Sequence, residues 1–232
     1  MSMANTRKAL SRKRRSENFL IRNGVKIDPN FPEIMNEKNA SIKAPEEAVR
    51  RAVCAFLTAR IAAGIYAEDS EAIRLCADII DRLDLVNELT GDERKYFELA
   101  VSAAACVSVD EAEQFHWRTE MSMPLLWACG FLGEHDLAFP AEESYTEGIF
   151  KTLSGCKSFS EVMSYVKMHT DAEILDNADV CSRMQRACME AHNKNRPAIC
   201  GDLMADVVRE QLKGFCWLVG LTGAEDWDKI DL

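Results

Sequence analysis

The sequence has almost no regular alternation of polar and apolar residues, and it lacks the short motifs that mark common catalytic sites. It has no G-x-S-x-G nucleophile motif, no glycine-rich phosphate loop and no H-E-x-x-H metalloprotease motif. Its nine cysteines form neither a C-x-x-C nor a paired Cys/His spacing. We therefore predict no catalytic residue, no metal, no cofactor and no disulfide framework, and we expect the protein in the reducing cytoplasm.

Long apolar segments are also missing. The most apolar stretch, residues 48–65, is interrupted by Arg50, Arg51 and Arg60, which argues against a membrane span. The basic N-terminal residues lead into no apolar segment of the kind found in signal peptides. We expect no membrane association.

Helix-start signals are the clearest structural pattern in the chain. In an S/T-x-x-E capping box, the first and fourth residues satisfy two backbone N–H groups at the start of a helix. The boxes are Thr90 with Glu93, Ser108 with Glu111, Ser158 with Glu161, and Thr170 with Glu173. Together with apolar residues at helical spacing, they predict an all-α fold, a single compact domain over residues 1–232 with about nine helices around a long central kinked helix.

Residues 108–133 form the predicted central helix. Trp117, Glu120, Pro124 and Trp127 follow one another at steps of three, four and three, which places them on one face. Since Pro124 has no N–H to donate to the carbonyl of Glu120, we expect a kink there. Glu120 should then be buried on a mostly apolar stripe.

A buried carboxylate needs a partner, because an isolated one costs several kcal/mol. An arginine could serve both the carboxylate and a carbonyl left without a donor, since a guanidinium has five donors. We predict that Glu120 pairs with Arg183 in the interior and that Asp179 shares the arginine. Arg118 should project to a different face of its helix from Glu120.

Charge is distributed unevenly. The first 26 residues carry eight Lys or Arg and one Glu, about +7, so the remainder carries about −17 of the total of −10. The sequence pattern predicts a basic helix over residues 6–22, either docked on the acidic body or extending from it. If it docks, Leu10 and Phe19 should pack on the body. If it extends, it could bind nucleic acid through its basic residues. Those candidates are Arg7, Lys8, Arg12, Lys13, Arg14 and Arg15.

Two acidic pairs invite a chemical interpretation. Glu113 and His116 have the E-x-x-H spacing of a di-iron ligand pair, but no second such motif occurs, so we interpret them as partly exposed helix residues. Asp176 and Asp179 lie one turn apart, with Arg183 four residues after Asp179. They could be a structural ion pair on a helix face or a paired-carboxylate site.

Several segments, taken in order, resemble a bacterial family of unknown function, DUF4272. They are RKRRSENFLIRNGV near the start, WRTE and LLWACG in the central stretch, EILDNAD before Arg183, and CWLVGLTGAEDWD near the end. The resemblance covers nearly the whole chain and implies a compact helical domain of unassigned activity. The matched polar residues, which are our binding candidates, are Arg118, Glu120, Asp176, Asp179 and Arg183.

The chain departs from the family pattern at several polar positions. After Arg183 the family tends to have His and Trp. Before the last tryptophan it tends to have Arg, His and Asn. This chain has Gln185 and Arg186 at the first place, and Gln211, Leu212 and Cys216 at the second.

Three functional hypotheses remain open. The first is a non-enzymatic protein that binds a macromolecular partner, which we expect to be another protein, in a regulatory or immunity-type role. The second is a small hydrolase or metal-dependent enzyme, which would require Glu120, Asp176 and Asp179 to converge. The third is nucleic-acid binding through the basic N-terminal helix.

Overall fold

The computed structural model describes residues 3–34, 37–133, 144, 146–196 and 200–232, with side chains from Leu10 onward. Within these ranges the chain is all α-helical, as predicted, and no strand is present. The ten helices are α1 (Met3–Arg22), α2 (Pro45–Tyr66), α3 (Ser70–Arg82), α4 (Gly91–Ala103), α5 (Val109–His116), α6 (Arg118–Ala128), α7 (Glu147–Gly155), α8 (Phe159–Ser164), α9 (Asp171–Lys194) and α10 (Ala205–Leu218). Short 3₁₀ turns occur at Val86–Glu88, Ala104–Cys106 and Trp227–Lys229.

The predicted helix starts follow local hydrogen bonding. Both capping-box bonds form at the starts of α4, α5 and α9. At α8 the Ser158 side chain accepts from the backbone of Glu161, whereas the Glu161 carboxylate accepts from the Lys157 N–H instead. These bonds need only residues three or four apart, and the sequence pattern therefore predicts them well.

The helices pack in the spatial order α3, α2, α6, α10, α9, α1, and one continuous hydrophobic core runs through them. The two central helices are buried nearly all round: 14 residues of α2 and nine of α6 are buried. None of the helices in the described ranges is both long and apolar enough to span a bilayer.

The central stretch consists of two helices rather than one. The break lies at Trp117, which ends α5 and begins α6 with φ −62° and ψ −17°, and α6 continues through Pro124. The prediction of one continuous helix over residues 108–133 is therefore wrong, whereas the kink expected at Pro124 stays a prediction. Helix α6, which starts at Arg118, packs against α2 and α10, and Pro124 lies in its interior.

Helices α6 and α10 approach each other closely at Gly214. A Cβ atom added at Gly214 would overlap the carbonyl oxygen of Met121 and would lie 3.2 Å from the Pro124 ring. Only glycine fits there, because the two backbones are in direct contact.

Helix α1 packs against α9 along a stripe that only partly matches the prediction. Arg12, Ser16 and Leu20 recur every four residues and are all buried, and Phe19 packs at the margin of the core. Leu10 does not pack on the body, since 51% of its surface is exposed. Leu10 does not belong to the stripe of Arg12, Ser16 and Leu20 that faces α9.

Candidate functional site

The predicted polar residues of α9 connect this helix to α1. The Arg12 guanidinium donates to Asp176 Oδ1 through Nε at 2.9 Å and to Glu37 Oε1 through Nη2 at 3.0 Å. Arg15 Nη2 contacts both oxygens of Asp176, at 2.8 and 2.6 Å. Arg12 is almost completely buried although it is a basic residue of the N-terminal helix. This part of the basic face therefore lies against a carboxylate, as predicted for a docked helix.

One turn further along α9, Asp179 and Arg183 form a buried pair that holds the segment before α2. Arg183 Nε donates to Asp179 Oδ2 at 2.9 Å, and its two terminal nitrogens donate to the carbonyls of Phe31 and Pro32, each at 3.2 Å. The Ile34 N–H donates to Asp179 Oδ1 at 3.1 Å. Each of these hydrogen bonds joins residues of this chain. The Asp179 and Arg183 side chains therefore attach the irregular segment before α2 to α9.

A second buried charge cluster, which we call the Glu93 cluster, consists of Arg51, Glu93, Arg118 and Asp228. Glu93 is fully buried and lies between the two arginines. Arg51 Nη2 donates to its Oε2, and Arg118 Nη1 donates to its Oε1 at 2.9 Å. Arg118 Nη2 also donates to Asp228 Oδ1 at 2.8 Å. The cluster thus joins α2, α4, α6 and the 3₁₀ turn that contains Asp228.

The aromatic residues around the Glu93 cluster are structural. The Arg51 guanidinium lies 5.3 Å from the Trp227 ring centroid, and Trp227 packs edge-to-face with Trp217 at 5.5 Å. Arg118 lies 4.5 Å from the centroid of Phe115. Cation–π contacts of this kind add to the ion pairs at a desolvated site.

Glu120 is buried, as predicted, with 3% of its surface exposed. Its partner was predicted wrongly: Arg183 bonds to Asp179 and to two carbonyls. Glu120 accepts from the Ser144 N–H at 2.7 Å, the Ser144 hydroxyl at 2.9 Å and Gln211 Nε2 at 2.9 Å. The physical reason is the position of α10. This helix packs on both α6 and α9, so Gln211 reaches Glu120 from α10.

Glu120 also lines a small cavity of about 110 Å³. Ala59, Arg60 and Ala63 of α2 contribute one side of it, and Ser144 and Thr146 another. The Arg60 guanidinium packs on the ring of Phe150 at 4.7 Å. In the described residues the hydrogen-bond donors to Glu120 are all neutral, which distinguishes it from the other buried carboxylates.

The candidate residues therefore fall into three separate places. Asp176, Asp179 and Arg183 lie along the α1–α9 contact, Arg118 lies in the Glu93 cluster, and Glu120 lies beside its own cavity. As predicted, Arg118 and Glu120 point to different faces. Among the residues that the structure describes, Glu120 shares no hydrogen-bond partner with the two aspartates. In the described ranges there is also no group of three or more His, Cys, Asp or Glu side chains that could hold a metal ion.

The basic candidates of α1 differ in their availability to a ligand. Arg12 is buried and Arg15 is bound to Asp176. Lys13 donates to the carbonyl of Pro29 at 2.7 Å, whereas Arg14 is exposed. The side chains of Arg7 and Lys8 lie outside the described residues.

The E-x-x-H pair has the environment expected of ordinary helix residues. Glu113 is exposed and His116 is half-buried, with its ring edge-on to Tyr66 at 6.1 Å.

No sequence pattern indicates the Glu93 cluster. Glu93 was recognised only as part of a capping box, and its ion pairs come from residues 42 and 25 positions away. One sequence feature indicates the partner of Glu120, because Gln211 is a position where the chain departs from the family pattern.

None of the nine cysteines forms a disulfide. Burial raises the pKa of Cys54, Cys129 and Cys216 to about 12 in each case, so these thiols stay protonated at neutral pH.

Comparison with known proteins gives the family and no more. A search of the curated proteins found no match, and a search of the solved structures found none either. The family model described as Domain of unknown function (DUF4272) matches residues 12–230, nearly the whole chain. This match confirms the resemblance seen in the sequence motifs, and the chain belongs to the DUF4272 family.

Proposed function

We propose that this protein binds a basic protein partner, and that it works by binding rather than by catalysis. The proposed contact surface, which we call the Tyr66 face, consists of Tyr66 at the end of α2 and Val109, Asp110 and Glu113 in α5. Tyr66 is 45% exposed and Val109 is 66% exposed, the largest exposure among the large hydrophobic residues described.

The four residues of the Tyr66 face are neighbours in space. The Tyr66 hydroxyl donates to the carbonyl of Val109 at 3.3 Å. Desolvation, together with the nearby carboxylates of Glu113 and Asp110, raises the pKa of Tyr66 above its ordinary value. An exposed aromatic ring and an exposed aliphatic side chain therefore lie beside two carboxylates.

This combination of apolar and acidic groups is the observation that carries the proposal. Helix α5 contains Asp110, Glu111 and Glu113 and no Lys or Arg, so its field is negative. A tyrosine with an apolar neighbour is a common anchor at protein interfaces, and the charges around it select the partner and speed its association. A partner segment with Lys or Arg around an apolar side chain complements such a surface.

The positions of the binding candidates add support. Arg118, Asp176, Asp179 and Arg183 all bond to oppositely charged side chains of this chain. In these positions they stabilise the fold. A regulatory or immunity-type binding role therefore requires other residues, on the surface of the protein.

A site-specific crosslinking experiment tests the proposal. A photoreactive phenylalanine analogue at Tyr66 should give one main crosslinked protein in the cells that produce this chain, and high salt should reduce its yield. The matched control places the same analogue at Leu75, an apolar residue of α3 that is 40% exposed. Equal products at both positions, or none at Tyr66, would contradict the proposal.

Charge reversal provides an independent test. Asp110→Lys with Glu113→Lys should abolish the crosslink at Tyr66, because the partner would then meet like charge. Asp78→Lys with Asp81→Lys makes the same change in net charge at exposed positions of α3 and should leave the crosslink intact. Loss of the crosslink in both double variants would point to a general effect of net charge.

A second candidate function rests on the Glu120 cavity. A buried carboxylate with neutral donors beside a cavity suits a small polar ligand with a donor or cationic group. The enzyme hypothesis that requires Glu120, Asp176 and Asp179 to converge loses its geometric support, because Glu120 lies apart from the two aspartates. Native mass spectrometry of gently purified protein should then show a bound small molecule that is lost in Glu120→Ala. A wild-type spectrum with the mass of the bare chain would rule out a resident ligand.

Nucleic-acid binding has less support, because Arg12 and Arg15 are bound to Asp176. Salt-sensitive binding to DNA or RNA that disappears when residues 1–26 are removed would establish it nevertheless. We also propose a cytoplasmic location, which the nine cysteines without a disulfide support.

A further inference from the structure

A cavity of about 340 Å³ lies between α4 and α5. Its lining comes from one face of each helix, because both sets of residues follow the spacing i, i+3, i+4, i+7. They are Asp92, Lys95, Tyr96 and Leu99 on α4, and Glu111, Gln114, Phe115 and Arg118 on α5 and at the start of α6, with Asp228 beside them. The volume lies within the range of about 300–1,000 Å³ that is usual for small-molecule sites. The lining positions of α5 are on the opposite side of the helix from Val109 and Glu113, so the cavity is separate from the Tyr66 face.

The two lining faces are antiparallel. In the middle, the rings of Tyr96 and Phe115 are stacked, with their centroids 3.8 Å apart and an interplanar angle of 12°. Beyond this stack, Asp228 joins the start of α4 to Arg118, because its carboxylate accepts from both. Arg118 therefore lies at one end of the cavity, and Glu111, one turn before Phe115, lies at the other. The seven positions between Glu111 and Arg118 correspond to about 10 Å of helix.

The hydroxyl of Tyr96 is a buried donor without an acceptor. It has no hydrogen-bond partner among the residues that the structure describes, although Tyr96 is only 4% exposed. Burial raises the pKa of Tyr96, so the hydroxyl stays protonated at neutral pH. A buried hydroxyl that donates to nothing destabilises the fold. A binding site accounts for such a group, because a ligand in the cavity can supply the acceptor.

The charged groups differ between the two ends of the cavity. At one end, Arg118 uses one N–H for Glu93 and one for Asp228, and its side chain is 14% exposed. Since a guanidinium has five N–H groups, this end has further donors. At the other end, the carboxylate of Glu111 accepts from the N–H and the hydroxyl of Ser108 and forms no ion pair with a described Lys or Arg. The cavity therefore combines donors at one end with a carboxylate that has no cationic partner at the other.

We propose that the cavity between α4 and α5 binds a small zwitterion of the size of a dipeptide. The carboxylate of the ligand accepts from the Tyr96 hydroxyl and from Arg118, and its ammonium group donates to Glu111. A dipeptide spans about 7 Å, and the long side chains of Arg118 and Glu111 cover the remaining distance. The Tyr96 hydroxyl is covered in the ligand-free protein, so the ligand reaches it when the exposed side chains of Lys95 and Gln114 in the same lining move aside.

Thermal melts of the full chain with three matched probes test the ligand class. The probes are the dipeptide Ala-Ala, N-acetyl-Ala-Ala, which lacks the ammonium group, and Ala-Ala-amide, which lacks the carboxylate. Ala-Ala at about ten times its Kd should raise Tm by about 3–6 °C. Each blocked probe at the same concentration should give less than half of that shift. An unchanged Tm with Ala-Ala, or equal shifts with all three probes, would overturn the proposal.

The variant Tyr96→Phe separates binding from folding. Removal of a hydroxyl that has no partner should raise the Tm of the ligand-free protein by about 2–4 °C and should reduce the shift caused by Ala-Ala. Tyr165→Phe is the matched control, because Tyr165 is 51% exposed and outside the cavity lining, and it should change neither value. A lower Tm of ligand-free Tyr96→Phe would show that the hydroxyl serves the fold, and an unchanged shift would show that it does not contact the ligand. Either result refutes the assignment.

The variant Glu111→Gln tests the position of the ammonium group. It should reduce the shift caused by Ala-Ala and leave the smaller shift caused by N-acetyl-Ala-Ala unchanged, because the acetylated probe has no charge to lose a partner. Equal effects on both probes would contradict the proposed orientation of the ligand.

Discussion

Replacing Glu93 by glutamine is the most direct test of the Glu93 cluster. Arg51 and the Thr90 N–H bond to one carboxylate oxygen, and Arg118 bonds to the other. An amide has only one acceptor oxygen, so its NH₂ group must face at least one guanidinium. The orientation of lower cost turns the NH₂ toward Arg118, because Arg118 keeps its bond to Asp228.

The expected loss follows from this geometry. Breaking a buried ion pair by removing one partner costs about 3–5 kcal/mol. We expect the lower part of that range, about 3 kcal/mol, because the capping bond and the bond to Asp228 survive. For a chain of this size the loss corresponds to a decrease in Tm of about 6–12 °C.

A matched control lies in the next capping box. Glu111 has the same position in its box, with the Ser108 N–H donating to its carboxylate at 3.2 Å, but it is exposed. Glu111→Gln should cost only about 0.5–1 kcal/mol, the value of a capping contact. Chemical denaturation followed by tryptophan fluorescence would give both values. If Glu93→Gln costs no more than Glu111→Gln, the buried ion pairs do not stabilise the fold as argued.

Three further outcomes are expected. Glu120→Gln should lower the free energy of unfolding by about 1–3 kcal/mol, because its new NH₂ group opposes the donor of Gln211 or Ser144, and denaturant titration measures this. Arg183→Met should cost about 3–5 kcal/mol, because it leaves the Asp179 carboxylate buried with only a backbone donor; a Tm equal to that of the parent would refute this. For Cys54, burial raises the pKa to about 12, so the thiolate is absent at neutral pH, and a thiol reagent should modify it only after unfolding.

The elements of the fold were predictable from the sequence because their signals are local. A capping box needs two residues three positions apart, and the buried apolar residues of α9 recur at helical spacing. The position of the break in the central stretch was not predictable in the same way. Pro124 removes one backbone donor from α6, but the interruption lies seven residues earlier, at Trp117, where the sequence has no helix-breaking residue.

Burial of charge was partly predictable, whereas its partners were not. Glu120 lies on a face with tryptophans, and that periodicity alone predicts its burial. Its partner depends on which helix lies beside α6, and the sequence contains no signal for the order α6, α10, α9. For Glu93 even the burial was hidden, because a capping glutamate is usually exposed and the arginines that surround it are distant in sequence.

The contact between Gly214 and the Met121 carbonyl has a consequence for how related sequences can vary. Since the α10 backbone touches the α6 backbone there, no side chain at position 214 is compatible with the present spacing of the two helices. A relative with alanine at this position would need the helices to separate, and Gln211, one turn earlier on α10, would then move away from Glu120. Position 214 and the pair Glu120–Gln211 should therefore change together during evolution.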